Sequence, residues 1–275
     1  MLPGVTCTRL GADRCPGLLK PFVAQDGAII RLRVPGGRVR VSTLADLLAI
    51  GADHGAPLLS VTSRTNLQVR GLPDPLPEDV MVRAEATGLL PSPSHERARN
   101  ILAAPLAPDL QPLVAELDAA LCADPFLADL PGRFLFAVTD ATGAVLTEPV
   151  DAAYQALTPT SGVIRLEGLG MPCARDDAVA HLLDRARLFL THREGPRVWN
   201  IRDLPADSPV FAGLEPMPVD PAPPLTPGPV GGDLVAGIPL AMRRATHPAA
   251  LVAIPDDVVI TPWRSLVVPS GAEFA

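Results

Sequence analysis

Lysine is almost missing from this 275-residue chain: Lys20 is the only one among 23 basic residues. Aromatic residues are few, at 4%. Cysteine is equally thin. Cys7, Cys15, Cys122 and Cys173 are too scattered for a disulfide framework or a zinc knuckle and read as small apolar side chains. No apolar run approaches the roughly 18 residues that a membrane helix needs. The N-terminus, M-L-P-G-V-T-C-T-R-L-G-A-D-R, lacks the apolar stretch of a secretory signal, so a cytoplasmic protein is the default expectation. A net charge of -7 argues against a general nucleic-acid binder, which draws its affinity from a broad basic face. There is no G-x-x-x-x-G-K-[ST] and no G-x-G-x-x-G, and nothing else suggests a nucleotide. His54, His95, His181, His192 and His247 have no metal-ligand spacing.

Against that background one stretch stands out. Between Ala28 and Gly71 lie Arg31, Arg33, Arg38, Arg40, Arg64 and Arg70, against only Asp46 and Asp53. A guanidinium fork grips a carboxylate through two parallel hydrogen bonds, so arginines gathered on one face suit a ligand with several carboxylates. Composition alone allows a second reading, solvated charges on strands and loops.

Residues 1–26 read as an irregular lead-in broken by Pro3, Gly4, Pro16, Gly17 and Pro21. From Ala28 to Val34 the chain alternates, with Ile30, Leu32 and Val34 on one side and Ile29, Arg31 and Arg33 on the other, which predicts a strand with one polar face. Pro35-Gly36-Gly37 turns the chain. Ser42 reads as the N-cap of a helix from Thr43 to about Asp53, stopped by Gly55. Pro57–Val61 and Asn66–Arg70 read as strands. Further helices are expected at Pro77–Thr87, Asp109–Leu121 and Asp176–Leu190, and strands at Arg133–Val138 and Gly162–Leu166, with a hairpin through Thr139–Gly143 into Ala144–Leu146. Asp176-Asp177 and Asp256-Asp257 read as structural pairs.

Residues 203–230 hold nine prolines and are expected to form an extended surface linker. Beyond it, Ile260–Val268 aligns without a gap on Val61–Val69, with Thr and Leu in the same places. Strand-like Leu234–Leu240 and a helical piece near Pro248–Ala253 precede it. The order of elements points to an internal duplication whose two sheets could pair and leave a cleft between them.

These residues carry a resemblance. I-R-L-R-V-P-G-G, T-S-R-T-N-L-Q-V-R-G and R-N-I-L-A-A-P-L resemble the ferredoxin-like half-domain and following segment of the sirohaem sulfite and nitrite reductases. R-C-P-G-L-L, L-P-G-R-F-L-F at 130–136 and T-P-W-R-S-L-V-V at 261–268 are closer to precorrin-3B synthase of aerobic cobalamin biosynthesis. The fold class implied is α+β: two ferredoxin-like half-domains (27–75 and 231–275) around a central α/β insert (76–202), after the lead-in and with 203–230 as linker. The function implied is oxidative hydroxylation and lactonisation of a precorrin-3A-type tetrapyrrole, by an oxidoreductase of the monooxygenase type. Its implied partners are that macrocycle and an electron donor protein or NADH-dependent reductase.

Carried over position by position, the resemblance places Arg31 and Arg33 in a ligand-facing strand. It places Arg64, Asn66 and Gln68 at the macrocycle edge, Arg99 and Asn100 in an R-N pair, and Arg133 at the first basic position of a basic-Phe-Lys triplet. Leu135 stands where the reductases have a second basic residue, which fits a macrocycle modifier better than a reductase of a small anion. The 4Fe-4S cluster expected of the family uses cysteines spaced C-x5-C and C-x3-C, and neither pair is in this sequence, so no cofactor can be assigned from it. The sequence stops shortly after W-R-S-L-V-V, which suggests a truncated form or a protein that works without the cluster. The rivals are a non-catalytic tetrapyrrole-binding or partner subunit and an interaction protein that keeps the repeat only to fold.

Overall fold

A computed structural model describes residues 15–56, 58–195, 197–238 and 257–269, and the backbone of the two-residue strand at 242–243. The first half-domain runs β1 (Phe22–Ala24), β2 (Gly27–Leu32), β3 (Arg38–Arg40), α1 (Val41–Asp53), β4 (Leu58–Val61) and β5 (Leu67–Leu72). Helix α2 (Glu78–Ala86) leads to the central unit: β6 (Ile101–Ala103), α3 (Gln111–Ala123), β7 (Phe136–Thr139), β8 (Ala152–Ala156), β9 (Ser161–Leu166), β10 (Leu169–Ala174), α4 (Ala178–His192) and β11 (Glu215–Pro216). The second half-domain supplies β12 (Gly228–Val230), β13 (Asp233–Gly237), β14 (Met242–Arg243), β15 (Asp257–Ile260) and β16 (Ser265–Val268).

Three sheets result. The first has the order β1-β2-β5-β4-β14 and the second β12-β13-β16-β15-β3, so each half-domain lends one strand to the other's sheet. Strand β3 pairs with β15 through Val39 and Val258, while β14 pairs with β4 through Met242 and Leu59. Both sheets share one apolar core, from Ile30, Leu44, Leu59 and Val69 to Val258, Ile260 and Leu266.

The segments aligned in sequence form the same turn in space. Thr62 N donates to Asn66 O at 3.0 Å, and Thr261 N to Ser265 O at 2.9 Å. The threonine hydroxyls accept from Arg64 N and from Trp263 N, each at 3.3 Å. Thr65 and Arg264, at matching positions, have left-handed φ values of 56° and 57°.

The central sheet is mixed, with order β11-β10-β9-β8-β7-β6 and with β6, β7 and β8 parallel. Helices α3 and α4 bury one face around Phe134, Phe136, Tyr154 and Phe189. The other face carries a smaller patch of Leu102, Leu135, Ala137, Val145 and Ala153, on which Leu146, Val150 and Trp263 pack. The Pro35-Gly36-Gly37 turn sits between this unit and the second half-domain. Gly36 has φ 68°, and a Cβ there would fall 3.0 Å from Val114. Gly37 has φ 73°, and a Cβ there would strike the Ile260 carbonyl.

Several expectations are corrected. Helix α1 starts at Val41 with extended Arg40 at its N-cap, not at a Ser42 cap, because the residues before it form β3. No hairpin follows β7: Ala144–Thr147 is a 3-10 turn, Val145 is drawn into the apolar patch, and the chain crosses over to β8 in parallel. Strands β1, β6, β8, β10, β11 and β12 lie outside the segments whose sequence pattern predicts a strand. The proline-rich stretch does not begin as a free linker, since Val210 is buried in the central core and β11 pairs with β10. The helical piece expected near Pro248–Ala253 and Asp256 lie outside the described residues, whereas Asp257 pairs with Arg38 at 3.0 Å.

Candidate functional site

The alternation in β2 holds. Ile30 and Leu32 face α1, and Arg31 occupies the other face with its Cα opposite Gln68 of β5. Arg31 Nη2 donates to Gln68 Oε1 at 2.9 Å. On the far side of Gln68 its register partner is Ser60 of β4, which the sequence reading missed. Arg33, just past β2, is only 1% exposed. Its Nη1 donates to Pro16 O at 2.6 Å and Arg31 O at 3.2 Å, while Nε and Nη2 find no hydrogen-bond partner among the described residues. Burial, with the neighbouring Arg31 charge, lowers its pKa to about 9. It remains a cation at neutral pH.

The equivalent positions of the second half-domain are apolar. There Val235 of β13 pairs with Val267 of β16, which pairs with Val259 of β15. Hence Arg31, Gln68 and Ser60 correspond to Val235, Val267 and Val259. The scaffold forms with valines at these positions, so it does not require a polar face. Among the described residues only the first copy has one.

The lead-in before β1 also belongs to this site. Glu96 accepts Leu18 N at 2.8 Å and Leu19 N at 3.0 Å, and any side chain at Gly17 would collide with its carboxylate. This explains P-G-L-L: the glycine lets Glu96 tie residues 16–19 beside Arg33. Arg64 reaches towards the central unit, where its Nη2 donates to Arg133 O at 3.4 Å. It also lies near Glu148, whose pKa burial raises while Arg64 and Trp263 draw it back.

Three residues expected at the ligand are instead engaged within the protein. Arg99 is 4% exposed and closes its fork on both oxygens of Asp118, at 2.7 and 2.6 Å, with Nη1 on Leu89 O at 2.8 Å. Asn66 Nδ2 donates to Asn100 Oδ1 at 2.9 Å, and Asn100 Nδ2 to Arg97 O at 2.8 Å and Gly132 O at 3.2 Å. This buried amide bridge fixes the first half-domain to the central unit. Arg133 is exposed, its guanidinium 4.9 Å above the Trp199 ring. The gathered set is therefore Arg31, Arg33, Gln68 and Ser60, while Arg64 reaches Arg133 of the central unit.

A 4Fe-4S cluster needs about four converging thiolates. Cys15 precedes β1, Cys122 lies on α3 and Cys173 in the central core; burial pushes the thiols of the last two up. No group of three His, Cys, Asp or Glu side chains that could hold a metal forms among the described residues. Cys7 lies outside them. The described residues do not fit the cluster.

Residues 23–85 match the nitrite/sulfite reductase ferredoxin-like half domain. The first half-domain is of that type. The chain superposes on the NirA protein of Mycobacterium tuberculosis with a TM-score of 0.57 at 16% identity, over 88% of this chain and 54% of that one. That likeness shows a shared α+β fold, and the chain spans about half the length of NirA. No curated protein matches the sequence. Among the described residues no helix is long and apolar enough to cross a membrane.

Proposed function

We propose that this nitrite/sulfite reductase-like chain binds an acid-fringed tetrapyrrole of the precorrin type, with Arg31, Arg33, Arg64 and Gln68 holding its carboxylates. The observation that carries this reading is the asymmetry of the duplication: cationic and polar residues in one copy, valines in the other. A buried guanidinium with unbonded nitrogens gains most from an anion. The resemblance to precorrin-3B synthase then gives the chemistry, hydroxylation and lactonisation of the ring with electrons from a donor protein or NADH-dependent reductase. A second reading, a non-catalytic tetrapyrrole-binding partner subunit, is favoured by the scatter of Cys15, Cys122 and Cys173.

Titration with uroporphyrin, a ring with eight carboxylates, tests the binding. Arg64→Glu replaces attraction by repulsion and should weaken it on the order of 100-fold, as expected for losing a charge-assisted hydrogen bond. Equal affinity in the variant and the parent would place the site elsewhere. Hydroxylated product formed from a precorrin with a reducing partner present separates the enzyme from the carrier.

A further inference from the structure

The second face of the central sheet holds a cavity of about 260 Å³ that the arginine face does not include. Its roof is the proline-rich stretch after β11. Met217 N donates to Gly168 O at 3.0 Å, and Ala222 N to Thr142 O at 2.8 Å. Pinned at both ends, the strap lays Val219 against a wall of Leu146, Val150, Ala153 and Leu169.

Four charged side chains line the cavity, and three have an opposite charge close by. Arg202 lies 3.8 Å from Glu167, and the Arg64 charge lowers the pKa of Glu148 against the effect of burial. Arg165 is the exception. Its Nε donates to Gln155 Oε1 at 2.5 Å and its Nη1 to Met217 O at 2.8 Å. These bonds orient the guanidinium, and Nη2 makes no hydrogen bond among the described residues. No described carboxylate forms an ion pair with it. Burial lowers the Arg165 pKa and raises those of Glu148 and Glu167, as expected for charges with too little water or counter-charge.

We propose that this cavity binds a small carboxylate with an apolar body, its acid on Arg165 and its hydrocarbon under Val219. The cavity lies below the usual size of drug-sized sites, so an acid of a few carbons or a short acidic side chain fits better than a large ligand. Two sources share that chemistry: a free organic acid, or an acidic arm of the ring bound across Arg64. The second rests on the tetrapyrrole reading and the first does not.

The test titrates the full chain with benzoate and, separately, with uroporphyrin. The variants are Arg165→Met, Arg165→Lys and Val219→Trp; the last fills the cavity while keeping the arginine in the sequence, and thermal unfolding confirms that each folds. Benzoate binding that falls at least tenfold in Arg165→Met and Val219→Trp, and partly returns in Arg165→Lys, establishes a free-acid site. If benzoate does not bind but the two variants weaken uroporphyrin at least threefold, the cavity takes a ring arm. If neither ligand binds more weakly in folded variants, or neither binds the parent, the proposal is overturned. Benzoate binding without uroporphyrin binding would sink the tetrapyrrole reading alone.

Discussion

At 1% exposure, with two nitrogens unbonded among the described residues, Arg33 is expected to oppose folding in the absence of a ligand. Replacing a poorly satisfied buried charge by an apolar residue of similar reach is often neutral or stabilising, by about 1–4 kcal/mol. Arg33→Met should therefore leave the unfolding temperature unchanged or raise it, while weakening uroporphyrin binding. A clear loss of stability would instead assign Arg33 a structural role through Pro16. Asp151 is the contrasting case. It accepts from Leu135 N, Asn200 Nδ2 and Ile201 N at 2.9, 2.9 and 2.7 Å, yet burial pushes its pKa up to about 7. The folded form then holds its proton more tightly than an unfolded aspartate, whose pKa is about 3.9. Its contribution is complete below about pH 4 and lost as pH rises through 7. Denaturant unfolding at pH 5 and pH 8 should show this slope, and Asp151→Asn should flatten it while lowering stability, because its amide turns an N–H towards one of those donors. An unchanged slope would show that Asp151 titrates low despite its burial. The polar face of β2 was legible in the sequence because alternation is local. The fate of Asn66, Arg99 and Asn100 was not, since Asp118 and the Asn66–Asn100 bridge reach them only through tertiary packing.

Strand exchange accounts for what could and could not be read at the level of elements. The turn shared by Val61–Val69 and Ile260–Val268 was visible as a sequence echo because a left-handed residue after a threonine-capped bend constrains the residues around it. Strand β3 was invisible: three residues have no periodicity to detect, and its partner β15 is more than 200 residues away. The hairpin expected after β7 failed for a related reason, because a D-A-T-G turn specifies a bend and not the strand that follows it. The exchange itself is testable. Val39 of β3 is 4% exposed in the shared core, so Val39→Asp buries an unpaired charge and should cost about 3 kcal/mol or more. Val23→Asp, on edge strand β1 at 53% exposure, should cost less than about 0.5 kcal/mol. Similar denaturation midpoints for the two variants would mean that β3 does not hold the sheets together.

Across the whole molecule, β3 and β14 tie each sheet to the other half-domain, and the Asn66–Asn100 bridge ties the first to the central unit. Neither half can lose its fold without unpairing a strand of the other, so unfolding should be one cooperative transition despite the chain's size. Ligand binding makes this measurable. A ligand that binds only the folded state adds about 2.7 kcal/mol at a hundredfold excess over its Kd. For a chain of this length, that corresponds to a rise of roughly 5–10 °C in unfolding temperature. With the halves exchanged, uroporphyrin held at Arg31 and Arg64 should shift the entire transition, although those residues belong to one half-domain alone. Arg64→Glu, at the same uroporphyrin concentration, should shift little. Two transitions in a calorimetric scan, with only the lower or the upper one moving, would show that the halves unfold separately and that the exchanged strands do not transmit the stabilisation.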